Sequence, residues 1–184
     1  SNSFSRIPIV CLFNHEEVGS VSSTGAAGSF LPSTVEQICQ DLSQQEKQKA
    51  LRKSILISSD GAHATHPNYP DRHDLDHEVR LNSGIAIKRN SNARYATTAK
   101  GQAFAQSLCK EINIPFQLFS NRSDMSCGST IGPVASARLG IETIDIGIPQ
   151  LAMHSSREIC GREDVKHLER FLAAFFTSKS FTNV

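Results

Sequence analysis

The chain has 184 residues, of which 39% are hydrophobic and 20% are charged, and its net charge is +1. These values predict one globular domain with a substantial core. Lysines and arginines are scattered, and every apolar run is far shorter than a membrane-spanning helix. The composition therefore argues against a nucleic-acid partner and against a membrane partner.

The cysteines and the first residues indicate the cellular compartment. An odd number of cysteines without CxxC spacing predicts reduced thiols of a cytoplasmic protein, not a disulfide framework or a zinc knuckle. The cysteines are Cys11, Cys39, Cys109, Cys127 and Cys160. Residues 1–6 are polar and the apolar run behind them is short, so we expect no signal peptide.

The first third of the chain predicts two strands and one helix. The continuous apolar run at residues 7–13 is typical of a central strand covered on both faces. Residues 20–33 are small and polar and predict a loop. Residues 34–49 carry apolar side chains at helical spacing behind Pro32 and Ser33, which predicts a helix. Residues 54–59 predict a second buried strand.

The middle of the chain begins with a long polar segment. Residues 62–82 hold four of the seven histidines, and a loop of this length is more often functional than idle. Residues 85–88 and 94–97 predict two short strands joined by a turn at residues 90–92.

The rest of the chain alternates helices with strands. The predicted elements are helix 98–112, strand 116–119, helix 130–139 closed by Gly140, strand 142–148 and helix 164–176. This alternation predicts an α/β domain with a mixed, largely parallel sheet flanked by helices.

Glu16 and Glu17 stand side by side behind the first apolar run. Adjacent carboxylates raise each other's pKa, and burial raises it further, so the pair is costly unless a positive charge neutralises it. A divalent metal ion would remove the conflict, because one carboxylate binds the ion and the other takes a proton from water. The alternative is a solvated acidic pair at a strand end.

Two further groups follow predicted strands. Asp60 comes after strand 54–59, and His154 lies a few residues beyond strand 142–148. Open α/β sheets bind ligands at the carboxyl ends of their strands. Carboxylate oxygens and an imidazole nitrogen suit zinc, manganese or cobalt. Read singly, Asp60 is also consistent with a turn aspartate, and His154 with a hydrogen-bonded histidine.

Two competing sites are less well supported. His73 and His77 would form a metal pair if their segment were helical, but the segment follows two prolines and has no apolar face, so a surface or substrate loop is preferred. Cys127 and Ser129 suggest a nucleophile, but the Gly-x-Ser-x-Gly pattern is absent. We therefore expect the Gly and Ser residues of this segment to let the backbone approach its neighbours closely, and Thr130 to cap the following helix.

Five blocks of the sequence resemble the aspartyl aminopeptidase family and occur in the family's order. They are NHEEVGS at 14–20, SDGAHATHPNY at 59–69, NARYAT at 92–97, CGSTIGP at 127–133 and QLAMHS at 150–155. The resemblance implies a dinuclear zinc exopeptidase that removes N-terminal Asp or Glu from peptides, with metal-bound water as nucleophile. It also implies a homo-oligomer. The same ligands would accept manganese or cobalt.

The resemblance implies which residues act as the general base and as metal ligands. By position, Glu16 corresponds to the general base, Glu17 and His154 to ligands of one metal, and Asp60 to a ligand of the other.

The resemblance assigns three substrate-contacting residues as well: His63, Lys88 and Tyr95. His63 or Tyr95 would donate a hydrogen bond to the developing oxyanion. Lys88 is the candidate partner for the acidic side chain of the substrate.

The chain departs from the family in ways that limit the implied activity. Family members carry an earlier His, a bridging Asp and an inserted dimerisation domain, all upstream of the Glu-Glu pair. Residues 1–184 thus correspond to the C-terminal portion of a catalytic domain, without the dimerisation domain. Asn14 stands where an aspartate is usual, and Gly61 where a methionine is usual. We expect the chain alone to be inactive. The alternative is a truncated, incompetent domain with a binding or assembly role.

Overall fold

A mixed five-stranded sheet forms the centre of the computed structural model, which describes residues 6–178. The strands are β1 (Ile55–His63), β2 (Ile85–Arg89), β3 (Phe116–Ser120), β4 (Glu142–Leu151) and β5 (Ile159–Cys160). Their order is β1-β4-β2-β3, with β5 paired to the far end of β4. The long pairings, β1 with β4 and β2 with β3, are parallel, and the short ones are antiparallel. This confirms the predicted mixed, largely parallel sheet.

Helices cover both faces of the sheet. They are α1 (Phe30–Ile38), α2 (Gln44–Arg52), α3 (Ala99–Glu111), α4 (Ile131–Leu139) and α5 (Arg162–Thr177), with short 3-10 helices at Glu16–Val18 and Pro70–Arg72. Successive side chains of β1 point to opposite faces. Ile55 and Ile57 pack with the cluster under α3 and α5, whereas Leu56 packs with the cluster under α1 and α4. The flanking helices are therefore confirmed.

The apolar run at residues 7–13 is not a strand, so the prediction of a central strand there is wrong. Within residues 6–178 no strand pairs with it. Its side chains still alternate, since Cys11 and Phe13 pack near α1 and α4 while Val10 and Leu12 are 75% and 88% exposed. A strand needs a neighbour that shares its backbone hydrogen bonds, and apolar composition alone does not supply one.

The helix predicted over residues 34–49 is two helices, α1 and α2. Ser43 begins α2 through a capping box: its hydroxyl accepts from the backbone N–H of Glu46 at 3.3 Å, and its own N–H donates to the Glu46 carboxylate at 2.9 Å. The Ser-x-x-Glu signature of this cap is visible in the sequence. The apolar spacing continues across the break and obscures it.

The strand predicted at residues 94–97 is a loop. The backbone N–H of Ala96 donates to the carboxylate of Asp145 at 2.6 Å, and the hydroxyl of Thr97 accepts from the backbone N–H of Asp145 at 2.8 Å. This segment is therefore bound to a side chain of β4 instead of to a neighbouring strand. β2 pairs with β3 and β4 instead.

The remaining helices and strands agree with their predictions, and the strands extend further than predicted. β1 runs to His63, so that Asp60 lies within the strand and not after it. Gly140 ends α4 in the left-handed conformation, with φ of 66°. Thr130 occupies the cap position of α4, but its hydroxyl donates to Asp145 instead of capping the helix. None of the helices in residues 6–178 combines the length and apolar character needed to cross a membrane.

Candidate active site

A pocket of about 1,020 Å³ opens beside the sheet, and all of the site residues suggested by the sequence line it. They are Glu16, Glu17, Asp60, His63, Lys88, Tyr95 and His154. They come from the 3-10 helix near the start of the chain, from β1 and β2, from the loop after β2 and from the turn after β4. The fold thus brings residues that are distant in sequence to one cavity.

Glu17 and His154 contact each other at the pocket. The Oε2 atom of Glu17 lies 2.6 Å from the Nε2 atom of His154, and both side chains are more than half exposed. An oxygen and an imidazole nitrogen this close are the kind of ligand pair that a zinc ion binds.

The backbone on either side of this pair is strained. Four residues other than glycine adopt the left-handed conformation there: His15, Ser20, Ala152 and His154. Such backbone is unfavourable and is found preferentially at functional sites, where the surrounding structure holds it in place. One contact that holds this backbone joins the Nδ1 atom of His15 to the hydroxyl of Ser22, 2.8 Å away.

Asp60 and Lys88 form a charge pair that lines the pocket, in which Lys88 is buried and Asp60 is partly exposed. Lys88 is 1% exposed, and its ammonium donates to Oδ2 of Asp60 at 3.2 Å and to the carbonyl of Gly61 at 2.6 Å. The backbone N–H of Gly61 donates to the other carboxylate oxygen at 2.6 Å. A buried ammonium must be paired. The Lys88 charge is thus engaged by the chain itself, and both oxygens of Asp60 accept hydrogen bonds.

Glu16 has the electrostatic surroundings of a base. Burial raises the pKa of its carboxyl group, and the nearby charges of Asp60 and Glu17 raise it further, while Lys88 and His154 act in the opposite direction. A carboxylate whose pKa is raised holds a transferred proton more readily than an ordinary glutamate.

His63 lies at the end of β1 on the pocket wall. Partial loss of its water shell lowers the pKa of its imidazole, and the neighbouring His73 and His154 lower it further. The ring is therefore neutral at physiological pH, and one of its nitrogens carries a hydrogen that it can donate.

Tyr95 is buried with its ring 5.1 Å from the ammonium of Lys88. Burial raises the pKa of its phenol, and the side-chain interaction of the phenol with the sulfur of Cys127, 3.5 Å away, acts in the same direction. The phenol thus stays protonated and can act as a donor.

Asp145, which sequence reasoning missed, holds the loop of Tyr95 in place. Its carboxylate is fully buried and accepts hydrogen bonds from Ser58 and Thr130 as well as from Ala96. One signal in the sequence pointed to it: a single acidic residue inside the apolar strand Ile144-Asp145-Ile146. A buried carboxylate is expected to bind several donors.

The competing histidine pair does not form a metal site. His73 lines the pocket and accepts a hydrogen bond from the backbone of His66 at 3.3 Å. His77 instead bonds Asp74, at 2.8 Å, on the wall of an adjoining groove that it does not share with His73. The segment between them is not helical, so the spacing of four residues does not place the two rings together.

The family described as "Aminopeptidase I zinc metalloprotease (M18)" matches residues 2–176. The chain belongs to the M18 family. A probable M18 family aminopeptidase 2 of Stutzerimonas stutzeri is 49% identical over 170 residues, which are 92% of this chain and 39% of that relative. This M18 chain thus spans about two-fifths of the length of the relatives it matches.

Solved structures share the fold. The chain is similar to one in the cryo-EM structure of the Ape4 and Nbr1 complex, with a TM-score of 0.86 and 41% identity over 89% of this chain and 31% of that one. It is also similar to the mApe1 dodecamer of S. cerevisiae, with a TM-score of 0.78 and 32% identity over 89% of this chain and 36% of that one.

The residues present fit part of a zinc site. Glu17 and His154 supply two suitable ligands, and Asp60 offers a third, a carboxylate that Lys88 engages. In the part of the chain that the structure describes, no group of three or more His, Cys, Asp or Glu side chains is arranged to hold an ion. Structural and catalytic zinc sites use at least three protein ligands. The described residues therefore provide an incomplete ligand set.

Proposed function

We propose that this M18 chain forms the substrate pocket and part of the metal centre of a cytoplasmic aminopeptidase that removes N-terminal acidic residues. The supporting observation is that one pocket gathers Glu16, Glu17, His154 and the Asp60–Lys88 pair. In this proposal residues 1–184 are the C-terminal portion of the catalytic domain, without a dimerisation domain, and the complete enzyme is a homo-oligomer.

Each pocket residue has a role in the proposed reaction. Glu17 and His154 would hold one zinc ion and Asp60 would contribute to a second, with manganese or cobalt as alternatives. A bound zinc ion would supply Lewis acidity and a water of lowered pKa. Glu16 takes a proton from the attacking water and delivers it to the leaving amine. Neutral His63 or the Tyr95 phenol donates to the developing oxyanion.

Lys88 contributes a positive charge beneath the pocket, which favours an acidic terminal residue. Its ammonium would bind the side chain of the substrate only by sharing its hydrogen bonds with Asp60 and the Gly61 carbonyl. Lys88 thus remains our candidate for the residue that selects an acidic N-terminal residue. Its positive charge would attract the acidic side chain even without a direct hydrogen bond.

A second candidate function is binding or assembly by a catalytically incompetent domain. The exposed side chains of Val10 and Leu12, beside an incomplete ligand set, favour it for the chain by itself. In this candidate the open apolar surface packs against further polypeptide.

The test compares the chain alone with the chain co-expressed with the portion of the Stutzerimonas stutzeri relative that it does not match. We expect no zinc-dependent release of aspartate from an Asp-peptide by the chain alone, and release by the co-expressed pair. In that pair Glu16→Gln should abolish turnover while zinc content is unchanged.

Three results would contradict parts of the proposal. Hydrolysis by the chain alone would show that its ligand set is sufficient. Release of leucine in preference to aspartate would disprove the acidic specificity. Zinc binding by the pair without any hydrolysis would favour the binding or assembly function.

A further inference from the structure

A groove of about 530 Å³ adjoins the main pocket and carries positive charge. The two cavities share the wall formed by Phe119, Ser120, Asn121, Met125 and Ser126. The groove therefore continues the pocket as a second compartment. No residue proposed to act in the reaction lines it.

Two arginines of the groove have no counter-charge from the chain. Arg89, the last residue of β2, and Arg94, in the following loop, line it, and within residues 6–178 neither guanidinium has a hydrogen-bond or ion-pair partner. The other charges are engaged: Arg122 pairs with Asp124 at 2.6 Å, and Asp74 bonds His77 at 2.8 Å.

The loop that carries Arg94 is held in position. The side-chain oxygen of Asn90 accepts from the backbone N–H groups of Asn92 and Arg94, at 2.8 and 3.4 Å, and the backbone carbonyl of Arg94 accepts from Ser129 at 3.4 Å. A guanidinium on an ordered loop loses less conformational freedom on binding an anion than one on a free chain.

The shared wall contains an unsatisfied acceptor. The side-chain oxygen of Asn121 is buried and has no hydrogen-bond partner in the described part of the chain. Buried acceptors without partners are rare in folded proteins. Because this oxygen is closed to solvent, a peptide in the groove would reach it only if the Asn121 side chain turned outward.

We infer that this groove binds a carboxylate on the leaving side of the peptide, with Arg89 and Arg94 as its ligands. The inference rests on the proposed function. An aminopeptidase removes one residue, so that residue and the reacting bond occupy the main pocket, and everything beyond it must leave through an adjoining compartment. The carboxylate belongs to an acidic residue after the scissile bond or to the C-terminus of a short peptide.

The test is an NMR titration of the 184-residue chain, which needs neither metal nor turnover. The probes are acetyl-Glu-Glu-amide and its uncharged match, acetyl-Gln-Gln-amide. We expect the acidic peptide to shift the side-chain Nε–H signals of Arg89 and Arg94, with an affinity about tenfold or more above that of the neutral peptide. Arg94→Gln and Arg89→Gln should each weaken binding about fivefold to tenfold, and the exposed Arg138→Gln should leave it unchanged.

Equal shifts with the two peptides, or unchanged binding by both groove variants, would overturn the inference and leave the proposed peptidase function untouched. Conversely, charge-dependent binding that Arg89→Gln and Arg94→Gln abolish would support the groove as a carboxylate site even if the co-expressed pair failed to hydrolyse peptides.

Discussion

The face of the sheet under α3 and α5 is closed, whereas the segment before α1 is open. On the closed face Ile85, Ile144 and Phe171 are 0% exposed. In the open segment Leu12 and Val21 are 88% and 85% exposed. Both regions are rich in apolar residues, so composition does not explain the difference. The closed face has helices that cover it, and the open segment has packing partners for only one of its sides.

This contrast bears on function because Glu16 and Glu17 lie in the open segment. The proposed substrate side of the pocket, built from β1, β2 and the Tyr95 loop, is supported by the buried Asp145 and Lys88. The proposed metal side is supported mainly by backbone turns and by the exposed contact between Glu17 and His154. We therefore expect the substrate-binding surface to be complete in this chain and the set of metal ligands to be incomplete.

The largest effect should come from the closed face. Phe171→Ala removes a fully buried ring from the centre of the core, and we expect a loss of about 3–5 kcal/mol in the free energy of unfolding. Urea denaturation measures it. Phe176→Ala in the same helix is the control: its ring is 39% exposed, so its removal should cost less than the Phe171 change. Equal losses for the two variants would contradict the assignment of the core.

A smaller loss should follow Asp145→Ala. The change leaves the hydroxyls of Ser58 and Thr130 and the N–H of Ala96 without their acceptor, and each unsatisfied group costs about 1–3 kcal/mol before relaxation admits water. We expect about 3 kcal/mol of destabilisation and faster amide exchange at Ala96. The exposed Asp41→Ala is the control. A variant as stable as the wild type would show that Asp145 does not anchor the Tyr95 loop.

The smallest effect should come from the open segment. Leu12→Ser removes a side chain that is 88% exposed, so the free energy of unfolding of the chain alone should change by no more than about 0.5 kcal/mol. A buried central strand at residues 7–13 would instead lose several times that amount. A large loss in urea denaturation would restore the interpretation of this run as a covered strand.

Sequence reasoning succeeded where the signal is local or carried by a motif. The apolar spacing and Thr98 cap of α3, and Gly140 after α4, are properties of neighbouring residues. The five motif blocks led to residues that line one pocket. The roles of those residues as base, metal ligands and substrate contacts remain predictions.

Sequence reasoning failed where a distant partner decides the structure. Residues 7–13 are apolar but lack a neighbouring strand in the described fold. Residues 94–97 have strand composition, but Asp145, about fifty positions away, binds their backbone. The arginine groove combines β2, a loop and the segment after β3, and no local pattern predicts such a combination.

The most direct test of the account is zinc titration of the purified chain by calorimetry. We predict one weakly bound ion, lost in Glu17→Gln and in His154→Ala, and retained in His77→Ala, a control whose ring bonds Asp74 outside the main pocket. Zinc binding that survives both Glu17→Gln and His154→Ala would contradict the claim that these two side chains form the metal-binding part of the site.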